Sequence, residues 1–78
     1  MREKRETGIV TFPTTTAAMA MEQAAHACGV PGRLIPVPRT IRAGCGMCWA
    51  FPPQQRTAVE ELVIEQHLMI DGIYDIIL

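Results

Sequence analysis

The chain has 78 residues, enough for one domain but too few for a wide internal active-site cavity, because a chain this short buries only roughly 60% of its unfolded surface. Apolar residues make up 49% and charged residues 19%, a folding composition rather than a disordered one, and the net charge of −1 argues against a dedicated nucleic-acid binder. The apolar runs fall far short of the roughly 20 residues that cross a bilayer. The charged start Met1-Arg2-Glu3-Lys4-Arg5-Glu6 lacks the apolar segment of a signal peptide. Three cysteines, an odd number, make a disulfide scaffold a poor explanation. The expectation is a cytoplasmic chain with reduced thiols, in which residues 1–7 are a tail and residues 8–78 a single domain.

Gly8-Ile9-Val10-Thr11-Phe12 is a β-prone run closed by Pro13, a first strand. Thr14, Thr15 and Thr16 then offer N-caps for an alanine-rich stretch in which Ala17, Met21, Ala24 and Cys28 recur at helical spacing. Gly29 and Val30-Pro31 end that helix. Arg33 to Val37 reads as a second strand. It carries Pro36, which cannot donate to a ladder, so it belongs at a sheet edge. A loop with Arg39 and Arg42 leads to a third strand, Cys45 to Phe51, whose large Met47, Trp49 and Phe51 alternate with small Cys48 and Ala50. Trp49 reads as a core anchor. A second helix spans Pro53 to Gln66 with an inner stripe of Val59, Leu62, Val63 and Gln66, while Glu60, Glu61 and Glu65 face solvent. Asp71-Gly72 turns into a last strand, Ile73 to Leu78.

The order β-α-β-β-α-β is the split βαβ, an α+β ferredoxin-like arrangement with a four-stranded antiparallel sheet and two helices on one face. Strands one and three are then central and strands two and four are edges. Strand direction also sorts the loops between the two ends of the sheet. Thr14, Thr15, Thr16, Arg39, Arg42, Cys45 and His67 fall at one end, with His26 and Cys28 at the other. Cys45 lies between Gly44 and Gly46, so nothing bulky shields its sulfur. It faces the start of the first helix, whose N–H groups favour an anion. From Arg33 to Arg56 there are four arginines and no acid. Such surroundings lower a thiol pKa and make the sulfur nucleophilic, although Cys45 also suits a tight strand entry simply by being small.

Cys45 and Cys48 form a C-x-x-C spacing. In an extended strand, residues three apart lie on opposite faces with Cα atoms about 10 Å apart, beyond the reach of a disulfide. Zinc wants four ligands, and His67 is the one further candidate beside the pair, so no metal is expected. Cys28, on the apolar stripe, reads as a small buried hydrophobe. His67 fits a helix C-cap better than a base beside Cys45. The segment from Thr57 to Leu78 holds five acids and no Lys or Arg, by default a solvated face.

The succession Val10-Thr11-Phe12-Pro13, Ala18, Glu22, Leu34-Ile35-Pro36-Val37-Pro38-Arg39, Gly44-Cys45-Gly46 and Ile73-Tyr74 resembles the selenium/sulfur carrier-like family. The P-V-P-R segment followed by C-G is the most specific part. The resemblance implies a small bacterial protein whose cysteine, here Cys45, holds sulfur or selenium as a persulfide or perselenide. A donor enzyme and an acceptor protein would be its partners, and no cofactor is called for. Arg39 and Cys45-Gly46 match the family motif residue by residue, and the topology would add Thr14, Thr15, Thr16, Arg42 and Gly44 around the charged cargo. Cys48 departs from the family pattern. A second reading is a non-catalytic interaction or ligand-sensing module that pairs, for instance as a homodimer, through the sheet face left open by the helices. That face would carry Ile9, Thr11, Cys48 and Ala50. Neither reading makes the chain an enzyme or gives it a nucleic-acid or membrane partner.

Overall fold

The computed structural model describes residues 6–39, 41 and 45–77. Its elements run β1 (Glu6–Thr11), α1 (Thr15–Cys28), β2 (Arg33–Pro36), β3 (Met47–Phe51), a 3-10 turn (Pro53–Gln55), α2 (Arg56–Glu65) and β4 (Gly72–Ile77). The strands form one antiparallel sheet in the order β2-β3-β1-β4, the ferredoxin-like α+β fold that the element order predicts. Pro36 lies opposite Met47 in the edge strand β2, where one side of the backbone has no ladder to lose.

Alternation along β1 and β3 sends Val10 and Phe12, with Trp49 and Phe51, toward the helices. There they meet Ala17, Ala18, Met21 and Ala25 of α1 and Val59 and Leu62 of α2. Trp49 is 1% exposed and stacks on Phe51 with ring centroids 5.9 Å apart, the core anchor its position predicts. Two glycines make room for these rings. A Cβ on Gly8 would collide with the Phe51 ring, and one on Gly32 with the Trp49 indole.

Both helices are closed by local chemistry. Thr14 caps α1, its Oγ1 accepting the Ala17 N–H at 3.1 Å. At the other end Gly29 turns left-handed (φ 72°), and the Val30 N–H reaches the Ala25 carbonyl at 2.9 Å. Helix α2 ends in the same motif, with His67 as the left-handed residue (φ 53°) and the Leu68 N–H on the Val63 carbonyl at 3.0 Å. Among the described residues no helix is long and apolar enough to cross a membrane.

Cys28 is exposed, not buried. Its helical angle matches the inner stripe, but the buried residues of α1 stop at Ala25, so its last turn has the right angle and no cover. Gln66 is likewise exposed, because it already belongs to the turn that ends α2. The sheet face away from the helices is not open at its centre either. Ile9, Thr11 and Cys48 have no exposed surface, and Ala50 is half-buried. Ile9 stands opposite Tyr74 and Cys48 opposite Ile35, so the edge strands place bulky neighbours beside them. The Thr11 hydroxyl donates to the Gly72 carbonyl at 3.5 Å, and the Cys48 thiol to the Pro36 carbonyl at 4.0 Å. Pairing needs exposed apolar area, and Ile9, Thr11 and Cys48 supply none, so an interaction module built on these residues loses its surface.

Candidate functional site

Register decides which loops meet. Thr11 pairs with Cys48 on one side and Gly72 on the other, and Pro36 pairs with Met47. The end of β1, the start of α1, the β2–β3 connection and the α2–β4 connection therefore share one end of the sheet. Thr14, Thr15, Thr16, Arg39, Cys45, Gly46 and His67 lie there, as the topology predicts, while Arg42 and Gly44 fall outside the described residues.

Cys45 sits in a turn rather than in a strand, since β3 begins two residues later at Met47. Gly46 breaks the extension with φ 77°, a left-handed value that glycine adopts without strain. The Gly46 carbonyl accepts the Val37 N–H at 3.1 Å, which ties this turn to the end of β2. The space beside the Gly46 α-carbon is open. The Cys45 side chain is half-buried, packs against the helix-side core and donates its thiol proton to the Met47 carbonyl at 3.3 Å. The Thr14 hydroxyl is committed to capping α1, whereas the first-turn N–H groups of Thr15 and Thr16 have no carbonyl one turn earlier to bind. Arg39 is exposed in a turn where the Ile41 N–H meets the Pro38 carbonyl at 3.0 Å.

The run of four arginines is divided by the fold. Arg33 lies opposite Ala50, at the far end of the sheet from Cys45. Arg56 opens α2 at that same far end and is ion-paired to Glu60 at 3.1 Å and Asp75 at 2.8 Å. Its guanidinium is held above its ordinary pKa first by the hydrogen bond to Glu60. Among the described residues, Arg39 is the arginine left at the Cys45 end. His67 is exposed and ends α2 through its left-handed backbone.

The premise that separated the two thiols fails, because the chain from Cys45 to Cys48 is not an extended strand. Burial, with the neighbouring Cys45 thiol adding to it, pushes the Cys48 thiol up from its ordinary 9.0 to about 11. Cys48 is therefore a buried thiol that keeps its proton at neutral pH. No group of three or more His, Cys, Asp or Glu side chains among the described residues is arranged to hold a metal ion. Sequence reasoning missed a groove of about 570 Å³ at the opposite end, where Glu22, His26 and Arg33 surround the edge of Trp49. Its walls come from the end of α1 and the start of β2, so no contiguous motif announces it.

The profile of the family described as "Putative Se/S carrier protein-like" matches residues 7–75, most of the chain. No curated protein matches the chain, and no solved structure does.

Proposed function

The chain belongs to this Se/S carrier family, and on that premise we propose that it holds sulfur or selenium as a persulfide or perselenide on Cys45. The Cys45 thiolate attacks the terminal sulfur of a donor's persulfide. The donor's S–S bond breaks, its thiolate leaves, and Cys45 keeps the sulfur as Cys45–S–SH. An acceptor thiolate then repeats the step on the carrier. Each transfer exchanges one S–S bond for another, so no net oxidant, reductant or cofactor is consumed. A selenium atom follows the same route as a perselenide.

The observation that carries this reading is a thiol only half-buried, in a turn where Gly46 adds no side chain of its own. A persulfide needs room for one more atom and access for two partners in succession. The start of α1 at the same end, with the N–H groups of Thr15 and Thr16, suits the charged form of the cargo, and Arg39 adds positive charge. The partners are a chalcogen donor enzyme and an acceptor protein. Incubation with a cysteine desulfurase and L-cysteine should add one sulfur atom to the chain, read by intact mass and mapped to the Cys45 peptide. Cys45→Ser should abolish the gain. Unchanged loading of that variant would overturn the assignment.

A further inference from the structure

We propose that Cys48 is the resolving thiol of the Cys45 persulfide: it attacks Cys45 Sγ, closes a Cys45–Cys48 disulfide and expels the cargo as hydrosulfide or hydroselenide. The inference rests on the carrier reading and adds a discharge route that needs no acceptor protein.

The geometry comes from one hydrogen bond. Cys45 Sγ stands 3.3 Å from the Met47 carbonyl oxygen. That carbonyl carbon is bonded to the Cys48 nitrogen, so across a planar trans peptide the Cys45 sulfur lies at most about 6 Å from the Cys48 α-carbon. Left-handed Gly46 is what folds the sulfur back over this peptide. The Cys48 side chain is fully buried beside Pro36, on the opposite side of β3 from Trp49 and from the helix-side core against which Cys45 packs, so closing the disulfide requires the start of β3 to come off its ladder. Met47 is the first residue of β3, so the peptide that separates the two sulfurs lies at the frayable end of the ladder rather than within it.

The step balances. A Cys48–Cys45 S–S bond forms and the Cys45–S(H) sulfane bond breaks. The Cys48 proton leaves with the hydrosulfide, and the two electrons that reduce the sulfane sulfur come from the Cys48 thiol. A dithiol reductant returns the disulfide to two thiols for the next round.

The surroundings of Cys48 set the pace. Its cross-strand partners, Thr11 and Ile35, carry no titratable group, and Cys45 is the titratable neighbour that acts on it. A thiol raised to about 11 is seldom ionised at neutral pH. The persulfide is thereby retained long enough to meet an acceptor, and internal discharge is the slower branch.

The test uses the full chain with exposed Cys28 replaced (Cys28→Ser), loaded with inorganic polysulfide so that no donor enzyme is involved. After removal of excess polysulfide, sulfide release should match the appearance of a species lacking two hydrogens, and digestion should yield a Cys45–Cys48 linked peptide. Adding Cys48→Ala should slow sulfide release about tenfold or more, since the internal nucleophile is gone. Release at the same rate in both chains, or release with no linked peptide, would overturn the proposal. The linked peptide is read without the Cys48 variant, so a folding defect in that variant does not blunt the test. Failure of desulfurase loading would instead remove the carrier reading, and the polysulfide result would still decide whether Cys48 resolves Cys45.

Discussion

The buried thiol of Cys48 makes folding stability depend on pH in the alkaline range. Its pKa is raised from 9.0 to about 11, mainly by burial. Below pH 9 both the folded and the unfolded chain keep the proton, and the full stability is present. Above pH 9 the unfolded chain releases the proton while the folded chain keeps it. Stability is therefore lost as pH rises, until the folded thiol also ionises near pH 11. A shift of this size corresponds to about 1.4 kcal/mol lost by pH 10 and about 2.7 kcal/mol once both states are ionised. The contribution of Cys48 is isolated by a difference between two chains. Urea unfolding of the wild type and of Cys48→Ala, in reductant, is compared at pH 8, 9 and 10. Cys48→Ala carries a roughly constant cost from the lost sulfur contacts, and its disadvantage should shrink by about 1 kcal/mol or more between pH 8 and pH 10. A difference that stays flat to within about 0.3 kcal/mol would show that Cys48 is not desolvated as the structure describes.

Two further substitutions probe the scaffold around the site. Gly8→Ala drives a methyl group against the ring of Phe51, which is 2% exposed and stacked on Trp49, and should lower stability by about 1–3 kcal/mol in denaturant unfolding. A change under about 0.5 kcal/mol would mean that the Phe51 ring yields freely. His67→Gly removes a non-glycine residue from the left-handed position that ends α2, and should raise stability by about 0.5–1 kcal/mol. The same variant should load sulfur on Cys45 normally, and a loss of loading would make His67 a base rather than a cap.

Much of the fold is legible because its signals are local. Proline in Arg33–Pro36 marks an edge strand, Thr14 and Gly29 bracket α1, and the alternation from Met47 to Phe51 assigns Trp49 to the core. Errors arise where burial depends on what another element covers. The helical angle of Cys28 is right, but α1 outruns its buried stripe by a turn. Period-two alternation correctly puts Ile9, Thr11 and Cys48 on the face away from the helices, and it is silent about whether that face is covered. The difference between pointing away from a helix and pointing into water is a tertiary fact.

The site follows the same division. Topology alone gathers Thr14, Arg39, Cys45 and His67 at one end of the sheet, because antiparallel strands leave each loop one end to occupy. Charge does not follow topology. Arg33 and Arg56 belong to the arginine run in the chain and to the far end in space, with Arg56 already engaged by Glu60 and Asp75. Among the described residues, support for an anionic cargo therefore rests on the start of α1 and on Arg39, which is a weaker field than a cluster of four arginines would supply. A weaker field leaves the geometry of the thiols to decide how long the cargo stays. That geometry turns on a single residue: with Gly46 extended, Cys45 and Cys48 would face opposite ways, and with Gly46 left-handed the Cys45 sulfur rests over the peptide that leads into Cys48. The glycine after the cysteine thus adds no side chain beside the sulfur and holds that sulfur within about 6 Å of the α-carbon of the thiol proposed to displace its cargo.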